Sequence, residues 1–129
     1  FRFEKNGKEY SKYFTGGLLG HWAVWTNSAV QLLKQIKEAR IQKTNLETLL
    51  QTGIAVTDMN AALFDVANNF HGCIPGIHEV LYRQGLLPSV RCLNPQEVLS
   101  PGQADELDRV TKAYPYLTDD SFVRNFISY

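Results

Sequence analysis

At 129 residues, the chain has the length of one ordinary domain. Hydrophobic residues make up 44%, aromatics 12% and charged residues 20%, which excludes a disordered or collagen-like chain. Thirteen Lys+Arg against thirteen Asp+Glu give a net charge of zero, so no electrostatic footprint marks a nucleic acid or an anionic membrane as partner.

Residues 1–14 read as a hairpin. Arg2 and Glu4 alternate with Phe1 and Phe3, Asn6-Gly7 supplies a turn pair with positive φ, and Tyr10, Tyr13 and Phe14 populate the return. Gly16, Gly17 and Gly20 then punctuate the chain before His21-Trp22-Ala23-Val24-Trp25. This run is β-rich and almost continuously apolar, which predicts a strand buried on both faces, as in a parallel sheet covered by helices. Thr26-Asn27-Ser28 can start a helix whose buried stripe is Val30, Leu33 and Ile36, widened by Leu32.

From there the pattern is helical. Asn45 is placed to cap a segment through Leu46, Leu49 and Leu50, with a break at Thr52-Gly53. A second segment from Thr57 or Asp58 carries Leu63, Phe64, Val66, Ala67 and Phe70 on its buried side. His71-Gly72-Cys73 breaks the chain before a helix with Pro75 in its first turn and Gly85 just beyond its end. Ser100-Pro101-Gly102-Gln103 reads as a capping box ahead of Leu107 and Val110, and Thr118-Asp119-Asp120 caps a last helix with Phe122, Val123 and Phe126. A lone buried strand would leave its backbone groups unpaired. The sequence also opens Phe1-Arg2-Phe3-Glu4, with Met59 its only methionine, so the chain is expected to be a piece of a longer one.

The run Gly20 to Asn27 with its helix, followed by Gly72-Cys73-Ile74-Pro75, Gly85-Leu86-Leu87 and Leu99-Ser100-Pro101, resembles the end of the dihydrodipicolinate synthase / N-acetylneuraminate lyase family. Gly76-Ile77-His78-Glu79-Val80-Leu81-Tyr82-Arg83-Gln84 is similar to a branch of that family, and the resemblance spans residues 15–116. It implies an α/β fold. Residues 1–43 would be the end of a (β/α)8 TIM barrel, with a hairpin-like insertion, strand 8 and helix 8, and residues 44–129 a helical C-terminal extension. It also implies a lyase that holds pyruvate or a related 2-oxo acid as a Schiff base on a lysine upstream of this chain. No catalytic residue would then lie in these 129 positions, and this stretch alone would be inactive. The implied partners are the remainder of the barrel chain, a pyruvate-like substrate and further copies in a homo-oligomer.

Within that reading, Trp22, Gly20 and Gly17 line the substrate pocket. The alternatives are a core aromatic for Trp22 and plain turn residues for the glycines. His71, His78, Cys73 and Cys92 fit no established zinc spacing, so neither a metal nor another cofactor is expected. Glu79 and Arg83 form an i, i+4 pair, and Asp105, Glu106, Asp108, Asp119 and Asp120 sit near helix starts, where the macrodipole favours them. Lys34 and Lys37 belong to a surface helix and are not candidates for the Schiff base. Two cysteines without a CxxC spacing, and no basic stretch leading into an apolar run, point to a reduced, cytoplasmic chain. The competing function is an autonomous helical module that binds a partner through its exposed apolar faces and has no enzymatic activity.

Overall fold

A computed structural model describes residues 1–17 and 20–127. Strands β1 (Arg2–Lys5) and β2 (Lys8–Ser11) pair antiparallel, with Phe3 opposite Tyr10 and Glu4 opposite Glu9. Asn6 at φ 55° and Gly7 at φ 71° make the two-residue turn. Both central positions of such a turn need positive φ, which a glycine takes without the Cβ clash that any other residue meets. Every residue of both strands is exposed, so the hairpin contributes nothing to the core.

Five helices follow: α1 (Thr26–Gln42), α2 (Leu46–Leu63), α3 (Cys73–Arg83), α4 (Gln103–Ala113) and α5 (Asp120–Ile127). Short 3-10 turns at Gly20–Ala23, Val66–Asn68 and Pro115–Leu117 join them. The core lies where α2, α3 and α4 converge. Ala55, Met59, Ala62 and Leu63 of α2 pack with Val80, Leu107, Val110 and Leu117, and Val24 and Trp25 close one end.

The α/β expectation is overturned. Among the described residues, the two-stranded hairpin is the whole of the sheet, and the molecule is helical rather than the last unit of a TIM barrel. The run at 21–25 is not a strand. Its first part is a 3-10 turn, and Trp25 at φ 50° and ψ 38° takes a left-handed conformation that redirects the chain into α1. The physical reason is pairing: with no neighbouring strand to take a ladder, the run's carbonyls accept local bonds instead. Thr26 Oγ1 donates to the Trp22 oxygen at 2.8 Å, and the Ala29 amide donates to the Trp25 oxygen at 3.0 Å. The hydrophobic content of the run is satisfied all the same, because Val24 and Trp25 are each 1% exposed.

Helix α1 buries Ala29 and Ala39; of its expected apolar stripe, Leu32 and Leu33 are half-buried while Val30 and Ile36 stay exposed. The break at Thr52-Gly53 does not occur: α2 runs unbroken through Gly53. One glycine costs a helix interior about 1 kcal/mol, which the core contacts of Ala55 and Met59 readily offset. Val66 and Phe70, expected inside, are exposed beyond the end of α2.

Asn45 precedes α2 as expected but makes no side-chain cap bond, whereas the end of α3 is as expected. The amides of Leu86 and Gly85 close the end of α3 onto the oxygens of Leu81 and Tyr82, at 2.9 Å each, in the arrangement of a Schellman cap. The expected box at Ser100–Gln103 forms only in half: Gln103 Oε1 accepts from the Ser100 amide at 3.1 Å, but α4 begins at Gln103 itself after Gly102, and the Ser100 hydroxyl donates to Asp65 instead of capping the helix. At Gly76, the backbones of α2 and α3 meet so closely that an added Cβ would overlap the Leu63 carbonyl oxygen. Arg109 of α4 grips Asp58 of α2 with two bonds of 2.9 and 2.8 Å, and the Tyr114 hydroxyl donates to the same carboxylate at 2.9 Å.

Candidate functional site

Leu33 and the exposed Ile36 of α1 acquire a role from what stands opposite them. Tyr13 and Phe14 on the hairpin's return, Gly16, Gly17 and Trp22, the α1 side chains of Leu33 and Ile36, and Leu46 and Leu49 of α2 surround a cleft of about 660 Å³. Phe1 packs edge-on against Phe14 with ring centroids 5.2 Å apart, which extends the aromatic wall. The charged residues lining the cleft are Lys37, Arg40 and Lys43, all cations. Arg40 is held in place: its guanidinium stacks 5.2 Å over the Tyr13 ring, and its Nη1 donates a long bond of 3.5 Å to the Phe14 oxygen. A hydrogen bond with Ser11, and the positive charges of Arg2, Arg40 and Lys43, hold the Tyr13 phenol below its usual range.

Of the three expected pocket residues, Gly17 and Trp22 share this cleft. They are close neighbours, since a Cβ on Gly17 would lie 3.3 Å from Trp22 Nε1. Gly20 opens the 3-10 turn that carries Trp22. Trp22 reaches the cleft from that turn and not from a strand, and Val24 is buried in the helical core. Leu18 and Leu19, between the two glycines, lie outside the described residues.

A second polar cluster is closed to solvent. Asp65, Ser100 and Gln103 are all buried. Asp65 accepts from the Ser100 hydroxyl at 2.5 Å, from Asn68 Nδ2 at 2.7 Å and from the Gly72 amide at 2.9 Å. Burial pushes its pKa up, but those three donors outweigh burial and leave the carboxyl below its ordinary value. Gln103 Nε2 faces the oxygens of Ala62, Leu63 and Gly72 at 3.3, 3.3 and 2.9 Å. Every polar atom here is taken up by the protein, so the cluster is a clamp between helix ends.

Of the acidic residues expected near helix starts, Glu106, Asp108, Asp119 and Asp120 have partners, and the expected Glu79–Arg83 pair forms. Glu79 and Asp108 both meet Arg83, at 2.7 and 2.6 Å, and Glu106 meets Arg109 at 2.9 Å. Asp119 accepts from the Asn27 amide at 2.9 Å and from Gln84 Nε2 at 2.8 Å.

One pairing was not legible in the sequence. His78 on α3 and Cys92 in the loop that follows lie 3.6 Å apart, Nδ1 to Sγ. They are fourteen positions apart, and the chain beyond the end of α3 has no regular structure before Cys92, so no periodicity links the two. Among the described residues, no group of three or more His, Cys, Asp or Glu could hold a metal ion, and no helix is long and apolar enough to cross a membrane. Comparison with known protein families, with curated proteins and with solved structures found no match to this chain.

Proposed function

We propose that this chain is a helical binding module without catalytic activity of its own, whose aromatic cleft receives an acidic, amphipathic segment of a partner polypeptide. The observation that carries this reading is the composition of the cleft. Its walls are apolar and aromatic, and the charged residues at its edge are three cations, in a chain whose net charge is zero. Apolar walls supply the surface whose removal from water drives association, and a rim of one sign selects the charge of what enters. The exposed Ile36 of α1 and the exposed Leu46 at the start of α2, both on the cleft wall, are then explained as surfaces kept for that partner.

The test uses two synthetic helical peptides with the same Leu and Phe stripe, one with Glu on its polar face and the other with Lys. Binding to the whole chain is followed by tryptophan fluorescence and by amide shifts around Trp22 and Arg40. The acidic peptide is expected to bind and to weaken as salt rises, and K37E/R40E/K43E is expected to reverse the preference. Equal binding of both peptides, or of neither, refutes the reading.

A second reading has one observation in its favour. Gly17 and Trp22, which the family resemblance implies as substrate-pocket residues, share a cleft with three cations that could hold a carboxylate. In that reading the chain forms one wall of a 2-oxo-acid lyase site, and the Schiff-base lysine is supplied from outside these 129 residues. Pyruvate with borohydride should then leave this chain's mass unchanged while pyruvate quenches Trp22. A reduced adduct on this chain, or no quenching, argues against it.

A further inference from the structure

We infer that the outer edge of β1 pairs with the β1 edge of a second copy of this chain, joining two hairpins into one antiparallel sheet across a two-fold axis. The inference does not rest on the aromatic cleft, because no residue of β1 lines it.

The ladder shows which backbone groups face outward. The Phe1 amine donates to the Lys12 oxygen at 2.7 Å, and the Lys12 amide donates back to the Phe1 oxygen at 2.9 Å, so these two residues form a hydrogen-bonded pair. Such pairs alternate along an antiparallel ladder, which makes Phe3–Tyr10 and Lys5–Lys8 the next ones. The N–H and C=O groups of Arg2 and Glu4 therefore point away from β2, to a side where no strand stands among the described residues. A lone two-stranded hairpin is marginal in water, and this one is exposed along its whole length. Its free edge is a template for a further strand.

Charge selects the partner and the register. A two-fold axis that sets outward groups against outward groups passes beside Arg2, Phe3 or Glu4. At Arg2 or Glu4 it brings like charges face to face. At Phe3 it places each Arg2 opposite Glu4 of the other copy, with two backbone bonds for each such pair. Within one hairpin Glu4 stands opposite Glu9, a like-charge pair that costs stability. The incoming Arg2 lands on the other flank of Glu4, on the same face of the sheet, and offsets that repulsion. On the opposite face Phe3 stacks on Tyr10 with ring centroids 5.5 Å apart, and both rings are exposed. Pairing at Phe3 extends the stack into a row of Tyr10, Phe3 and their two counterparts, which takes apolar ring surface out of water. The β2 edge offers no such match. Its outward residues are Glu9 and Ser11, and an axis at Tyr10 would set Lys8 opposite Lys12 of the second copy.

The test is sedimentation velocity of the full chain, of R2E, of E4R and of an equal mixture of the two variants. Both positions are exposed, so neither substitution touches the core. The parent is expected to pass from monomer to dimer with half-conversion at about 0.1 mM, as suits a small, transient interface. R2E sets Glu against Glu at both pairs and E4R sets Arg against Arg, so each alone should dimerise about tenfold more weakly or worse. In the mixture one chain brings two carboxylates and the other two guanidinium groups, so the heterodimer should form at least as readily as the parent dimer. E4R also turns the Glu4–Glu9 pair into one of opposite charge, so its hairpin is not weakened, and a dimer lost there is lost at the edge. The inference is overturned by a parent that stays monomeric up to about 1 mM, ten times that midpoint. A dimer that either variant leaves unchanged overturns it too, as does a mixture that stays monomeric.

Discussion

Gln103 is a sharp place to test the packing argument. Truncation to alanine removes four contacts at once: three carbonyls lose their donor, and the Ser100 amide loses its acceptor. The Gly72 oxygen keeps a bond from the Gly76 amide at 2.8 Å, so it is not orphaned. That leaves the Ser100 amide and the carbonyls at the end of α2, in a site where Gln103 is 3% exposed and water has no easy entry. An unsatisfied buried group costs about 1–3 kcal/mol, so three of them, two held only by long bonds of 3.3 Å, place the expected loss for Q103A at about 3 kcal/mol or more. Q103E should be worse, because a carboxylate offers acceptors where Leu63 and Gly72 need donors and stands beside Asp65. Urea unfolding followed by the fluorescence of buried Trp25 measures both variants. A Q103A loss below about 1 kcal/mol, with the denaturant slope unchanged, would refute the reasoning.

Acid should act through Asp58. Hydrogen bonds from Arg109 and Tyr114 lower its carboxyl from 3.8 to about 2, so the stability it contributes is fully present above 3.8 and is lost as pH falls toward 2. D58N should therefore differ most from the parent at neutral pH and converge with it in acid; parallel urea-midpoint curves would contradict this. G76A should destabilise by about 1–3 kcal/mol, since the new methyl must drive α2 and α3 apart, and a thermal midpoint equal to the parent's would show the contact to be soft. G7V should melt the hairpin and leave the core intact: the cross-strand signals between Phe3 and Tyr10 vanish, while global stability changes by less than about 0.5 kcal/mol.

Local signals were the readable part of this sequence. Asn6-Gly7 announced its turn, Gly85 its helix end and Ser100 with Gln103 half of their box, because each depends on a few adjacent residues. The run at 21–25 misled because periodicity reports that side chains are buried without reporting what the backbone pairs with. A short apolar stretch serves a strand or a turn folded into a helical core equally well. Gly53 misled for a related reason: its local cost is small, and contacts elsewhere along α2 decided the matter. The cleft could be anticipated only through Trp22 and Gly17. Its cations come from the end of α1 and the turn after it, where charges at helical spacing read as an ordinary solvated face. His78 and Cys92 meet through a loop whose path no spacing rule encodes.

Asp119 joins the Asn27 amide in the first turn of α1 to Gln84 just past α3, and the Ser28 hydroxyl reaches the Thr118 oxygen at 2.9 Å beside it. The Asn27 amide and the Ser28 hydroxyl, at the opening of α1, thus find their acceptors some ninety residues later in the chain. A ribosome makes α1 long before those acceptors exist, so the helix completes its N-terminal turn only once Thr118 and Asp119 have been added. A protease that clipped the chain just before Thr118 would loosen the start of α1 from the far end of the sequence.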